Sequence, residues 1–281
     1  MNKYLNRILL VLLILFTLGF GCYCLISAAR TDSTVPEISF TADTVSVSVG
    51  DDPAALLAGV SAFDREDGDV SASVLVEGIS SIRKDHCATV TYAAFDSAGN
   101  VAKAQRTVSY TDYQSPRFSL DGSLMFRSGL SFDLFDYVSA TDPVDGDLSS
   151  KIKASLVGGD TSISQLGLHE VELRVTNSMG DIARLTVPVE VYPAGEFNAS
   201  VTLSQYLVYL KQGTAFLPRQ YIQAFDTGYH ETPLAQLEAD NAEIEILSDV
   251  KTDVCGTYTV TYTITHRNYT GCGRLVVVVE E

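Results

Sequence analysis

The sequence predicts an all-β fold: three tandem β-sandwich modules behind one N-terminal transmembrane helix. Three observations carry this reading. They are short runs in which apolar and polar residues alternate, a repeat of roughly 80 residues, and an uncharged apolar stretch near the N-terminus.

The alternating runs come first because they set the class. Val45–Val49, Thr89–Tyr92, Val171–Val175 and Tyr258–Ile264 each place apolar residues, mostly β-branched or aromatic, at every second position. That is the period of a half-buried strand, and such residues suit a pleated surface packed on another sheet. Gly, Asp, Asn and Ser punctuate the intervals and mark turns. Helical periodicity is almost absent after the N-terminal stretch.

The stretch from Ile8 to Ala29 has no charged residue, enough to cross a bilayer that needs ~20 apolar residues. Lys3 and Arg7 precede it, so the excess-positive side places the N-terminus in the cytoplasm and the chain beyond Arg30 outside. The expected localisation is therefore the cell membrane, single-pass. The alternative is a secreted protein cleaved near Ala29, because Ser27-Ala28-Ala29 fits a small-x-small cleavage pattern. The apolar run exceeds the ~7–15 residues of a signal core, which favours a retained anchor. A lipobox is not matched, since Gly19 stands three residues before Cys22 where leucine is wanted. The chain ends Val279-Glu280-Glu281 just after a strand, with no sorting motif, so anchoring is expected from the N-terminus alone.

Lys and Arg total 19 against 35 Asp and Glu, a net charge of −16. A phosphate backbone or an anionic membrane surface is repelled by this balance, so no nucleic-acid partner is expected.

Self-similarity sets the modular architecture. Ala62-Phe63-Asp64-Arg65-Glu66-Asp67-Gly68-Asp69-Val70 recurs as Ala140-Thr141-Asp142-Pro143-Val144-Asp145-Gly146-Asp147-Leu148. The strand and turn from Val90 to Asn100 recur from Val171 to Asp181. A third copy is degenerate: Ala224-Phe225-Asp226 echoes the first element, and Gly256–Thr265 the long strand. Pro and Gly interrupt the pattern at Asp112–Pro116 and Tyr192–Gly195. The expected organisation is residues 1–30 as cytoplasmic tip and anchor, 35–112 as module 1, 113–192 as module 2 and 194–281 as a divergent module 3. Short linkers imply a semi-rigid rod.

These residues carry a family resemblance. An A-x-D-x-x-D-G-D element, an alternating strand, Asp96-Ser97-Ala98-Gly99-Asn100 and a closing strand resemble the bacterial surface immunoglobulin-like domain. That domain occurs in Gram-positive envelope proteins and in some pesticidal crystal toxins. The resemblance covers residues 35–192 well and 194–281 only in their second half. It implies a seven-stranded sandwich used as spacer or adhesive module, with no shared enzymatic activity.

No catalytic residue emerges. His86, His169, His230 and His266 lack metal-ligand spacing, and no nucleophile-elbow, phosphate-cradling or paired-cysteine motif lies outside the apolar segment. Outside it stand Cys87, Cys255 and Cys272, an odd number. Cys255 and Cys272 begin consecutive strands of one hairpin, Thr257–His266 and Arg274–Glu280, with its turn near Asn268–Gly271. This register places them roughly 30 Å apart at ~3.4 Å per residue, beyond disulfide reach. All three are expected as free, structural thiols.

The acidic turns are the candidate metal sites. Calcium, a hard cation wanting six to eight oxygens, fits such crowding, although the spacing is not that of an EF-hand. The expected site joins Asp142, Asp145 and Asp147 to Asn177 and Asp181 of the neighbouring loop and to Asp112 of the entering chain. A weaker copy is expected at Asp64, Asp67, Asp69, Asp96 and Asn100. The competing reading makes these carboxylates turn formers that bond to nearby backbone, with Gly68 and Gly146 supplying positive φ.

Tyr206, Tyr209, Tyr221, Tyr229 and Tyr269 crowd the third module. Core packing accounts for most; Tyr229 and Tyr269, in loop-like contexts, are the candidate ligand-binding residues. The expected function is a non-enzymatic membrane-anchored surface protein, a spacer rod or adhesin presenting module 3 to a protein or glycan. The alternatives are an envelope-assembly or secretion component and a carbohydrate-binding module, which needs an aromatic platform on module 3.

Overall fold

The computed structural model describes residues 3–29, 32–83, 85–158 and 162–281, with the side chains of 3–6 and 24–29 outside the description. The flanking charges Lys3 and Arg30, the small residues Ser27, Ala28 and Ala29, and Cys24 therefore lie outside the described side chains. The chain divides into two compact units, residues 1–112 and 113–281.

Unit 1 opens with helix α1 (Lys3–Ala29), whose Leu9, Leu12, Leu15 and Leu18 are exposed. Among the described residues, which for the side chains of α1 means 7–23, no helix is long and apolar enough to cross a membrane. Seven strands follow: β1 (Glu37–Phe40), β2 (Thr44–Val47), β3 (Val60–Asp64), β4 (Gly68–Asp69), β5 (Leu75–Ile79), β6 (Cys87–Phe95) and β7 (Val101–Tyr110). They form two sheets, β1-β3-β4 and β2-β7-β6-β5. The first strand pairs antiparallel to β3, and β2 then crosses to run parallel to β7, an immunoglobulin-type connection. Alternation on β6 buries Ala88, Val90 and Tyr92, which meet Val47, Leu56 and Val108 in one core.

That core holds an unexpected charge. Arg106 of β7 is 4% exposed, and its guanidinium donates to the carbonyls of Leu56 (2.7 Å) and Ala58 (2.9 Å) and to the Tyr92 hydroxyl (3.0 Å). The rings of Phe40 and Tyr92 lie 5.3 and 5.4 Å from it, and their quadrupoles attract the guanidinium where no carboxylate pairs with it among the described residues.

Unit 2 begins with a second copy of this sandwich. Strands β8 (Arg117–Leu120), β9 (Met125–Arg127), β10 (Val138–Asp142), β11 (Gly146–Asp147), β12 (Lys153–Leu156), β13 (Gly167–Thr176) and β14 (Ile182–Tyr192) make sheets β11-β10-β8 and β12-β13-β14-β9. Here β9 runs parallel to β14 as β2 does to β7. Leu173 and Val187 take the core positions that Tyr92 and Arg106 hold in unit 1, and both are fully buried.

The remainder is built differently. Strands β15 (Ala199–Leu203), β16 (Leu207–Lys211), β17 (Ile222–Asp226), β18 (Glu231–Pro233), β19 (Glu243–Ser248), β20 (Gly256–His266) and β21 (Tyr269–Glu280), with helix α2 (Leu234–Ala239) between β18 and β19, join in one sheet. The order is β18-β17-β15-β21-β20-β19, with β16 also on β21. Strand β21 makes this possible: its start pairs with β15 through Gly271 and Cys272, and its end with β16 from Val276 to Glu280. Glycine is required at the crossing. A Cβ on Gly271 would stand 2.9 Å from the backbone of Ala199 and Ser200, and one on Gly273 2.7 Å from the Val201 carbonyl.

Both faces of β21 are covered, which explains its unbroken apolar run. Leu275, Val277 and Val279 face the core shared with Val260, Tyr262 and Ile264. Val276 belongs instead to the core of the preceding sandwich, with Val278, Tyr206 and Leu207 packed against it. Residues 113–192 and 194–281, separated in sequence by a short Pro-Gly segment, thus share a packed seam.

The β20–β21 hairpin turns at Arg267 and Asn268, earlier than the expected Asn268–Gly271, and β21 starts at Tyr269 rather than Arg274. Cys272 lies opposite Thr263, far along the ladder from Cys255, and both thiols are free.

Candidate metal centre

The acidic repeat folds identically in both copies. Asp64 pairs with Gly68 and Asp142 with Gly146 in two tight hairpins, β3–β4 and β10–β11. Asp64 accepts the backbone N–H groups of Glu66 (2.7 Å) and Asp67 (3.1 Å); Asp142 accepts those of Val144 (3.1 Å) and Asp145 (2.7 Å). Asp69 and Asp147 each accept the backbone N–H of the serine two residues on, Ser71 and Ser149, at 2.9 Å. Serine donors hold both of these carboxyls below the ordinary aspartate range. Asp67 and Asp145 bridge to the facing loop, accepting the backbone and hydroxyl of Ser97 and Ser178. Asp145 also accepts from Lys151 at 3.2 Å.

The poles of the two sandwiches differ in what these turns surround. In unit 1 the carboxylates of Asp32, Asp64 and Asp96 offer oxygens within 4.8 Å of one another. Asp64 is fully buried, and the backbone N–H of Asp67, then that of Glu66, hold its carboxyl low. Asp96 accepts the backbone and side-chain amides of Asn100 at 2.7 and 2.6 Å. Asp32 arrives on the chain entering β1; its Oδ1 accepts from the Thr34 backbone (2.8 Å) and hydroxyl (2.7 Å). Its Oδ2 is buried without a hydrogen-bond partner. Among the described residues none of the three carboxylates is ion-paired.

In unit 2 the same space is closed by donors. Asn177 stands where Asp96 does, and its amide donates to Asp142 (2.7 Å) and to the Tyr113 hydroxyl (2.8 Å). Tyr113 donates to Asp181 at 2.8 Å. Asp181, at the position of Asn100, accepts the Ile182 backbone N–H at 2.7 Å and donates its own backbone N–H to Asn177 Oδ1 at 2.9 Å. Burial, then the Asp181 carboxylate, push the Tyr113 phenol far up, so it remains a donor.

Of the six residues expected to form the principal site, Asp142, Asn177 and Asp181 meet, Asn177 bonding Asp142 directly and Tyr113 bridging Asn177 to the Asp181 carboxylate, with every contact a hydrogen bond. Asp145 and Asp147 turn to serines. Asp112 lies in unit 1, accepting from the Ser48 hydroxyl and from the Val49 backbone at 2.9 Å. In the copy expected to be weaker, Asp64 and Asp96 do converge, with Asn100 beside them, whereas Asp67 and Asp69 are occupied by Ser97 and Ser71.

Sequence reasoning missed Asp32. The signal was present: Asp32 stands four residues before Pro36 as Asp112 stands four before Pro116. Tyr113 gave no such signal, because a phenol in place of a carboxylate is recognisable only from its contacts. Tyr229 is 94% exposed in the turn after β17, and Tyr269, 37% exposed, opens β21. The pairings Ser200 with Asp226 and Ala199 with Gly271 put both at one end of the seven-stranded sheet.

No family model and no curated protein matches this chain. Among solved structures, it is similar at 14% identity and TM-score 0.22 to the CBM51-2 and INT domains of Clostridium perfringens ZmpB, the former in complex with GlcNAc, over 87% of this chain and 42% of that one. The protocadherin gammaB7 EC3-6 cis-dimer is similar at 12% identity and TM-score 0.22, over 87% and 74%. Human CDH23 EC21-23 is similar at 16% identity and TM-score 0.23, over 87% and 100%. The chain spans less than half the length of the first of these.

Proposed function

We propose that this chain is a non-enzymatic, membrane-tethered surface protein of bacterial immunoglobulin-like type, in which residues 8–29 hold the bilayer and the β units stand outside as spacer and adhesive surface. In this reading the N-terminus is cytoplasmic, and unit 1 is set by a calcium-class cation on Asp32, Asp64 and Asp96.

The observation that carries the cation in this reading is the orphaned Asp32 Oδ2 beside two further carboxylates. Three like charges so close are mutually destabilising unless one is protonated or a cation intervenes. Two oxygens that share a calcium ion at 2.3–2.6 Å stand at most ~5 Å apart, a limit the 4.8 Å grouping meets. Such an ion supplies the charge that these carboxylates lack and joins the chain leaving α1 to the β3–β4 and β6–β7 turns. The second sandwich needs no ion, because Asn177 and Tyr113 provide donors at the same place. The uncharged run from Ile8 to Ala29 and the exposed leucines of α1 support the tether.

Calcium titration of the full chain in detergent, followed by thermal melting, tests the cation. Millimolar calcium is expected to raise the Tm over that in chelator, since a ligand of the folded state stabilises by ~2.7 kcal/mol at a hundred times its Kd. Asp32→Asn and Asp96→Asn remove the rise, whereas Asp145→Asn keeps it. Equal melting with calcium and with chelator sinks the reading.

A further inference from the structure

The seam within unit 2 encloses a cavity of about 300 Å³, at the small end of ligand-binding pockets. Its walls come from both sides of the seam: Tyr137 and Tyr192 from the first sandwich, Phe197 and Tyr206 from the chain that follows. The rings are held in place. Tyr137 packs edge-on to Phe126 at 5.1 Å and Tyr192 edge-on to Phe197 at 5.2 Å, while the Tyr206 hydroxyl accepts the Leu203 backbone N–H at 3.3 Å. An aromatic cage fixed before a ligand arrives loses little entropy on binding.

The lining is also uncharged. In a chain of net charge −16 no Asp, Glu, Lys or Arg borders this space, yet hydroxyls of serine and tyrosine do. Burial pushes the Tyr192 phenol up and the Cys272 thiol up to about 11, so both are neutral at physiological pH. Ser123 takes one hydrogen bond at its Oγ, from the Arg274 backbone at 2.9 Å, and that bond leaves the O–H free to donate.

We propose that this cavity binds one neutral sugar ring. Aromatic side chains pack against the C–H groups of a pyranose, and the interspersed hydroxyls match its own. A charged ligand would meet no counter-ion here, and a wholly apolar one would leave the cavity hydroxyls unpaired. The site is independent of the cation proposed for unit 1. It is also not the open platform on the third module that a carbohydrate-binding function led one to expect; it exists because two β bodies meet.

Isothermal titration of the full chain in detergent with N-acetylglucosamine, glucose, galactose and mannose tests this. Saturable binding of at least one is expected, unchanged by chelator. Ser200 is exposed at the cavity, so Ser200→Phe fills the space from the outside and should weaken binding at least tenfold while the Tm holds. Tyr192→Ala provides a second variant should the first fail to fold, with the same loss expected. The proposal is overturned if none of the four sugars binds, if both folded variants bind as well as the parent, or if indole binds the cavity and no sugar does.

Discussion

Arg274 of β21 is ion-paired with Glu190 of β14, across the seam between the two bodies of unit 2. The guanidinium is 11% exposed and the carboxylate 28%, so the pair is largely withdrawn from water. Val276, two residues on, enters the core of the first sandwich, and Arg117 of β8 reaches back to Glu280 at 2.6 Å. One strand therefore belongs to two cores.

This seam predicts that residues 113–281 unfold as one body. Breaking a buried pair by removing one partner costs ~3–5 kcal/mol, and the partial exposure of Glu190 lowers that to about 2 kcal/mol for Glu190→Gln. Truncating Val276 to Ala should cost on the order of 2 kcal/mol. Hydrogen exchange on the full chain is the measurement: both variants should weaken protection of β13 and of β20 together. Loss confined to β20 would show that the two bodies open separately.

Tyr113 closes the pole of the second sandwich, and Tyr113→Phe removes its bonds to Asn177 and Asp181. Leaving the buried Asn177 and the half-buried Asp181 short of a partner should cost ~1–3 kcal/mol, read as a lower denaturation midpoint with or without calcium. A calcium-dependent change in this variant would contradict the closed geometry.

The acid response follows from the same turns. Ser178, its hydroxyl first and then its backbone, holds the Asp145 carboxyl below its ordinary value of 3.8, as Ser149 holds Asp147 and the Asp67 and Glu66 N–H groups hold Asp64. Each folded-state value is depressed, so the folded chain binds fewer protons than the unfolded chain near pH 3.8. Their stabilisation is complete above that pH and disappears as pH falls through the folded values. Melting temperature should be flat from about pH 7 to 5 and fall below about pH 4, with a shallower fall in Asp145→Asn. An equal slope in that variant would remove Asp145 from the account.

Arg106 in the unit 1 core is a test of buried charge without a carboxylate. Arg106→Ala strands the Leu56 and Ala58 carbonyls and opens a void, an expected loss of ~3–5 kcal/mol by urea denaturation. Tyr92→Phe removes one shared hydroxyl, which donates to Leu56 at 2.7 Å, and should cost ~1–2 kcal/mol. Arg106→Lys cannot reach three acceptors with a single ammonium and should fall between the two.

Thiol reactivity separates the cysteines. Cys255 is exposed and should react first with a chromogenic disulfide reagent at pH 8; Cys272, whose thiol burial pushes up to about 11, should react only on unfolding. Fast labelling of Cys272 in the folded chain would mean that the seam opens.

Much of this was legible in the sequence, and the reason is local. Alternation along Val171–Val175 and Tyr258–Ile264 dictates strands, because side chains of a pleated chain point to opposite faces whatever surrounds them. The repeated Asp-Gly-Asp turns are set by bonds from a carboxylate to backbone a few residues away, so Asp64 and Asp142 behave alike. The separation of Cys255 from Cys272 needed only a hairpin and its register.

Tertiary structure decided everything that depends on which faces meet. The run Leu275–Val279 reads as a buried strand, yet only the fold assigns its odd positions to one core and Val276 to another. The matching acidic repeats look equivalent, yet Asp32 gathers with Asp64 and Asp96 in one pole, while Tyr113 and Asn177 close the other. Both outcomes rest on residues more than thirty positions apart, brought together by packing that no local pattern encodes.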